Sequence, residues 1–115
     1  MSIRRWEIYR ANLDPVIGSE QGKTRPVLII SEDQANEALR VVNVLPITSR
    51  QPGRRIYGNE ALLPASAGGL PNESVVLAYQ IRTLAKERLS VRYGQVADAR
   101  IRAEIVEALA LQLGL

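Results

Sequence analysis

Short apolar runs, each bounded by turn residues, alternate with polar segments along the first 96 residues. They predict five or six short strands, over residues 6–12, 27–30, 41–47, 56–63, 74–79 and 89–96. Ser31 is placed to cap a short helix over residues 32–39, whose first turn is acidic. Many short strands with few helices favour a small, strongly bent antiparallel barrel.

The last part of the chain changes from strand-like to helical spacing. Ile101, Ile105, Leu109 and Leu113 lie four residues apart, and Val106 and Leu111 are expected to widen the same face. Asp98 precedes this repeat as an N-cap, and Gly114 follows it as a C-terminal cap. We therefore predict a C-terminal helix that covers one end of the sheet.

A polar loop bounded by Gly18 and Gly22 runs into Arg25 and then into the apolar run 27–30. Pro26 suits the first residue of a strand, where no ladder donor is needed. Arg25 is thus expected at the mouth of a strand, below a loop that carries the three polar residues Ser19, Glu20 and Gln21. A fixed guanidinium below such a loop predicts a phosphate site.

The length of 115 residues predicts one domain, 1–115. Thirteen of the 15 basic residues are arginine, which favours a nucleic-acid partner because the planar guanidinium binds phosphate in a bidentate manner. An arginine-biased genome explains the same composition equally well.

Histidine and cysteine are both absent from this chain. The usual general acid–base, the usual transition-metal ligands and any disulfide framework are therefore excluded, and no metal or other cofactor is expected. No apolar stretch approaches the roughly 20 residues that span a bilayer, and the start lacks an apolar signal-peptide core. We expect a cytoplasmic protein without membrane contact.

Several sequence blocks recur in an order that carries a resemblance. They are GSEQG at 18–22, RPVLIIS at 25–31, PITS at 46–49, GLP at 69–71 and SVVL at 74–77 followed by QIRT at 80–83. The chain resembles the MazF/PemK toxin family over essentially its whole length. The resemblance implies a mainly β fold with α: a small SH3-like antiparallel β-barrel of the PemK/MazF/CcdB type, with a C-terminal helix and a short internal helix.

The resemblance also implies an activity and partners. Members of the family are homodimeric, metal-independent endoribonucleases that cut single-stranded RNA, usually mRNA, at short sequences. A cognate antitoxin with an acidic, partly disordered tail inhibits them by covering the RNA groove. By similarity, Arg25 and Thr48 form the catalytic pair, and Glu20 contributes to catalysis or substrate binding.

Metal-independent RNA cleavage uses the 2′-OH as nucleophile and gives a 2′,3′-cyclic phosphate and a 5′-OH. Arg25 suits stabilisation of the dianionic phosphorane, and Thr48 can donate a hydrogen bond to it. A guanidinium is rarely neutral because its pKa lies above ~12, so Glu20 is the better candidate base. The choice of base between Glu20 and Arg25 stays open.

Further residues are expected to bind RNA: Ser19, Gln21, Ser49, Arg54, Arg55, Tyr79 and Gln80. Tyr79 stands where many relatives carry an acidic residue. An acid there would accept hydrogen bonds from base edges, whereas Tyr79 is expected to stack on a base instead. The candidate site residues also have plainer interpretations: Arg25 as a solvated or ion-paired arginine, Thr48 as a turn residue and Gln80 as a partner of backbone groups.

Two other functions fit the same barrel. One is a catalytically silent RNA-binding module, and the other is a gyrase poison like CcdB. The gyrase poison acts through a terminal Trp-Gly-Ile tail, whereas this chain ends Leu113-Gly114-Leu115. That difference disfavours the gyrase interpretation.

Overall fold

The computed structural model describes residues 2–115, and these form seven strands and two α-helices. In chain order they are β1 Glu7–Asn12, β2 Thr24–Ile29, α1 Asp33–Ala38, β3 Val41–Ser49, β4 Glu60–Leu63, β5 Ser74–Leu77, β6 Arg82–Ala85, β7 Leu89–Gln95 and α2 Ala99–Leu113. Single 3₁₀ turns at Ala78–Gln80 and Lys86–Arg88 flank β6. The predicted mainly β fold with a short internal helix and a C-terminal helix is confirmed.

The strands pair antiparallel in the order β4-β5-β3-β2-β1-β7, and β6 pairs with the first half of β3. The long strand β3 serves both halves of the sheet, since it pairs with β2 up to Pro46 and with β5 from Ile47 onward. Within residues 2–115 the path of paired strands ends at β4 and at β7. The sheet is therefore not closed, and the word barrel describes it only loosely.

Alternate residues of the central strands pack to opposite sides of the sheet, and each side has its own core. Leu28 and Ile30 join the cluster that contains Ile105 and Ala108 of α2. Val27 and Ile29 join a second cluster with Tyr9, Ala11, Leu13, Val42, Val44 and Leu84. Burying a side chain of this size contributes about 1.5–3 kcal/mol, so this two-sided strand holds the sheet between two apolar layers.

The strand that carries Arg25 begins earlier than predicted. β2 starts at Thr24, so Arg25 and Pro26 lie inside the strand, and the prediction that Pro26 is its first residue was wrong. The ladder to β3 begins only at Val27, opposite Pro46. The missing N–H of Pro26 therefore costs no hydrogen bond to β3.

Three other strands differ from the prediction. β4 begins at Glu60, because residues 57–60 form a turn in which the Glu60 amide donates to the Tyr57 carbonyl at 3.0 Å. β6 was missed, since Arg82 and Thr83 make its four residues too polar to give a strand signal. The predicted strand 74–79 ends at Leu77, where the 3₁₀ turn Ala78–Gln80 begins.

The helix ends confirm two caps and correct a third. Asp98 accepts hydrogen bonds from the amides of Arg100 and Ile101, and Gly114 adopts the left-handed conformation with φ 72°. Glu32, and not Ser31, is the N-cap of α1. The Ser31 hydroxyl contacts Asn36 instead.

The apolar face of α2 is narrower than predicted. Ile105 and Ala108 are buried, whereas Val106, Leu111 and Leu113 are 41%, 64% and 49% exposed. Val106 follows Ile105 directly and is rotated by about 100° around the helix, away from the sheet. The expectation that Val106 and Leu111 widen the buried face was wrong.

Candidate active site

Arg25 and Thr48 meet where β3 leaves β2 to join β5. The β2–β3 ladder ends where Val27 lies opposite Pro46, and Arg25 precedes Val27 by two residues as Thr48 follows Pro46 by two. Both side chains are half-buried and line one open cleft of about 370 Å³. The predicted catalytic pair therefore lies together and reaches solvent.

The loop before β2 fixes Arg25 through its own backbone. The Arg25 Nε donates to the Gly22 carbonyl at 3.1 Å. A Cβ at Gly22 would lie 2.7 Å from both Asp14 Oδ1 and Val16 Cγ2, so only glycine lets the loop pack this closely. Among residues 2–115 no carboxylate lies within 4.0 Å of the Arg25 guanidinium. Its terminal nitrogens remain available for an anion.

Gln80 tethers the loop that precedes β2. The Gln80 Oε1 accepts from the Gln21 amide at 3.1 Å, and its Nε2 donates to the Ser19 carbonyl at 3.0 Å. The side-chain oxygen of Gln21 is buried and has no hydrogen-bond partner within the described chain. The structure thus brings three predicted RNA-binding residues together, with Gln80 occupied by backbone groups of the loop.

Glu20 is not brought to the catalytic pair. Its Oε1 accepts from the amide of Ile17 at 3.0 Å, so the carboxylate turns back onto its own exposed loop. Glu20 does not line the cleft of Arg25 and Thr48. Sequence position could not reveal this, because the loop conformation decides which amide the carboxylate meets.

The remaining predicted RNA-binding residues divide between two places. Ser49 lines the cleft with Arg25, whereas Arg54 and Tyr79 line a second cleft of about 510 Å³. Arg54 makes a bidentate ion pair with the buried carboxylate of Glu60, at 3.0 and 2.8 Å. The hydrogen bonds of this pair lower the pKa of Glu60 and raise the pKa of Arg54. The positive charge of Arg54 is therefore already balanced by Glu60 within the protein.

Tyr93 of β7 is a cleft residue that the sequence interpretation missed. It lines the cleft of Arg25 together with Asn72 and Ser74. A Cβ at Gly69 would lie 2.2 Å from the Tyr93 carbonyl oxygen, so the loop before β5 contacts the β7 backbone directly. The paired glycines at 68–69 and the glycine after Tyr93 were the signal for this close approach.

The described chain lacks two other kinds of feature. Residues 2–115 contain no group of three or more acidic residues arranged to hold a metal ion. None of their helices has the length and apolar character needed to cross a membrane.

Comparisons with known proteins give one consistent result. Residues 4–113 match the PemK-like, MazF-like toxins of type II toxin–antitoxin systems. Endoribonuclease MazF9 of Mycobacterium tuberculosis is 38% identical over 118 residues, which cover 98% of this chain and 98% of that relative.

Solved structures agree with the sequence comparison. MazF from Deinococcus radiodurans superimposes with a TM-score of 0.83 and 30% identity, over 100% of this chain and 99% of that one. An endoribonuclease in complex with its cognate antitoxin, from a mycobacterial species, superimposes with a TM-score of 0.79 and 27% identity, over 98% of this chain and 96% of that one. The chain therefore belongs to the family of PemK-like, MazF-like toxins of type II toxin–antitoxin systems.

Proposed function

We propose that this toxin is an endoribonuclease that cuts single-stranded RNA, chiefly mRNA, at short sequences and without a metal ion. One observation carries the proposal. Arg25 of β2, which has no carboxylate within 4.0 Å among residues 2–115, and Thr48 of β3 line the same open cleft. The relatives of similar length that are named endoribonucleases support the same activity.

The cleft suits attack by the RNA's own 2′-OH on the adjacent phosphorus. The 2′ oxygen forms a bond to phosphorus, the bond to the 5′ oxygen breaks, and a 2′,3′-cyclic phosphate and a 5′-OH result. Arg25 stabilises the dianionic phosphorane, and the Thr48 hydroxyl donates to one of its oxygens. Loss of one such preorganised donor costs about 3–4 kcal/mol, or 10²–10³ in rate.

Two proton transfers complete the reaction. A base removes the 2′ proton, and an acid protonates the departing 5′ oxygen. Glu20 is our candidate base, and its carboxylate must leave the Ile17 amide to reach the cleft. Arg25 remains the alternative base and the candidate acid. A Glu20→Gln variant that keeps the wild-type rate would remove Glu20 from the mechanism.

RNA binding in this proposal uses the two clefts and the loop before β2. Ser49 contacts the RNA beside Thr48, and Ser19 and Gln21 contact the RNA from the loop that Gln80 holds. Arg54 and Tyr79 contact the RNA from the second cleft, and Arg55 contacts it from the edge. Because Glu60 pairs with Arg54, Arg55 supplies the charge for a phosphate there.

We propose three further properties from family membership. The chain acts in the cytoplasm as a homodimer, and its activity is blocked by a cognate antitoxin whose acidic, partly disordered tail pairs with the exposed arginines. A mycobacterial endoribonuclease of the same fold is solved in complex with its cognate antitoxin. Sedimentation should give about twice the mass of the 12.7 kDa chain; a monomer mass at micromolar concentration would contradict the dimer.

Cleavage of a mixed-sequence RNA in EDTA tests the activity. Wild type should cut, whereas Arg25→Ala and Thr48→Ala should lose about 10²–10³ in rate. Arg40→Ala and Thr83→Ala are matched controls, since both residues are exposed and lie outside the cleft. A substrate with one 2′-deoxy nucleotide at the scissile position should resist cleavage.

Three results would contradict the proposal. Failure of wild type to cut would favour the silent RNA-binding module. Cutting by both alanine variants would remove Arg25 and Thr48 from the site, and cutting of the 2′-deoxy substrate would exclude the 2′-OH mechanism. The gyrase-poison alternative gains no support, since the similar proteins are named as ribonucleases or MazF toxins.

A further inference from the structure

Two exposed tyrosines from different parts of the chain face one cleft. Tyr57 belongs to the loop before β4 and is 56% exposed, and Tyr79 belongs to the 3₁₀ turn after β5 and is 40% exposed. Both line the second cleft, of about 510 Å³, together with Asn59 and Leu111. The catalytic proposal uses neither Tyr57 nor Asn59.

The backbone of Tyr57 is held in place by Glu60. Its amide donates to Glu60 Oε1 at 3.0 Å, and its carbonyl accepts from the Glu60 amide at 3.0 Å. The Arg55 guanidinium lies over the ring, 5.2 Å from the centroid. Because Arg55 covers one face, the other face is the one available for stacking. A backbone already fixed at Tyr57 lowers the entropy lost when the ring binds a ligand.

The base of the cleft is equally rigid. Glu60 is buried and accepts both hydrogen bonds of the Arg54 guanidinium. The Arg50 side chain donates to the Arg54 carbonyl at 3.0 and 2.8 Å and pairs with Glu73 at 3.0 Å. These bonds fix the segment 50–60 to the sheet.

Two chain segments connect the second cleft to the catalytic pair. Only Ser49 separates Thr48 from Arg50, the residue that anchors the segment. Gln80, which follows Tyr79 directly, holds the loop that precedes Arg25.

We infer that the cleft between Tyr57 and Tyr79 binds one unpaired nucleobase next to the cleaved phosphate and so helps to set the cleavage sequence. The inference rests on the proposed ribonuclease activity. Aromatic rings stack on any base, and each stacked base contributes about 1–3 kcal/mol. Arg55 has no carboxylate within 4.0 Å among residues 2–115, so its charge is available to a phosphate beside the stacked base.

Steady-state cleavage by tyrosine variants tests the inference. Tyr57→Ala and Tyr79→Ala should each raise KM about 5- to 150-fold, which corresponds to the loss of one stacked base. Their kcat should change little, and the distribution of cut sites in a mixed-sequence RNA should broaden. Tyr57→Phe and Tyr79→Phe keep the rings and should restore KM.

A binding measurement gives a readout that a merely structural role would not move. The probe is an RNA oligonucleotide with 2′-deoxyribose at the scissile position and 2-aminopurine at a neighbouring position. Wild type should quench the 2-aminopurine by stacking, and Tyr57→Ala should not. Val106→Ala is the control, since Val106 is exposed and lies outside both clefts. A cooperative thermal unfolding transition at the wild-type temperature establishes that each variant folds.

The outcomes separate this inference from the activity on which it rests. If wild type does not cut RNA, the proposed function fails. If wild type cuts and the alanine variants keep the wild-type KM, cut sites and quenching, the inference is overturned and the cleft is left to a protein partner.

Discussion

Tyr9 and Glu7 form a buried polar contact inside the second apolar cluster. The Tyr9 hydroxyl donates to Glu7 Oε1 at 3.0 Å, and the same carboxylate accepts from the Arg4 amide and from Arg92 Nε. Burial, followed by the hydrogen bond to Glu7, raises the pKa of Tyr9 to about 12. The protonated tyrosine is thus the form that the fold requires.

Stability should therefore fall at alkaline pH. An unfolded tyrosine ionises near pH 10.0, so between that pH and about 12 the folded chain holds a proton that the unfolded chain has lost. The free energy of unfolding decreases with rising pH across this window. Urea denaturation at pH values from about 8, where the tyrosine is protonated in both states, to about 12 measures the slope. Tyr9→Phe should flatten it, and an unchanged slope in this variant would contradict the argument.

Individual site residues were predictable in identity but not in orientation. Arg25 and Thr48 were identified from the sequence blocks around them, and the structure places both in one cleft. The partners of Glu20 and Gln80 depend on how the loop 17–23 folds. No periodicity encodes which amide a surface carboxylate meets, so these contacts had to be seen in the structure.

At the scale of elements, a glycine contact joins the loop before β5 to β7 and so positions Tyr93 in the catalytic cleft. Gly69 has φ 87°, and a Cβ there would lie 2.2 Å from the Tyr93 carbonyl oxygen. Gly53 provides a matched comparison, since it has φ 75° and a Cβ added there would meet no atom within 4 Å. Both sites impose a left-handed backbone, and only Gly69 adds a clash.

The two glycines should consequently respond differently to alanine. Gly53→Ala should cost about 1–2 kcal/mol of unfolding free energy, the penalty of a left-handed non-glycine residue. Gly69→Ala should cost more than this, because β7 must also move away, and it should lower RNA cleavage by displacing Tyr93. Urea denaturation and cleavage rates measure both effects. Equal losses in the two variants would show that the contact with β7 is unimportant.

Elements with strong apolar patterns were predicted well, and weakly patterned ones were not. β2, β3 and α2 combine apolar runs or clear caps, and the structure contains each of them. β6 has four residues with one buried side chain, Leu84, and forms because β3 offers it a partner. Its pairing is a tertiary effect that local propensity does not contain.

At the scale of the whole molecule, the net charge of +3 does not reveal which charges are available to RNA. The arginines that pair with carboxylates are Arg4, Arg5, Arg50, Arg54, Arg92 and Arg100. The other seven arginines have no such partner among the described residues, and two of these, Arg25 and Arg55, lie at or beside the two clefts. Pairing, rather than the number of arginines, decides which side chains can neutralise a phosphate.

Salt dependence of RNA binding should reveal this division. For a single strand, log K falls with log salt by about 0.7 for each phosphate that is neutralised. Arg25→Ala should make the slope shallower by about 0.7 for a 2′-deoxy-blocked RNA, measured by fluorescence anisotropy between about 50 and 200 mM salt. Arg100→Ala should leave the slope unchanged, since Arg100 pairs with Glu104 on the exposed side of α2. Equal slopes for wild type and Arg25→Ala would mean that Arg25 does not contact the phosphate, and the catalytic role assigned to it would fail with that contact.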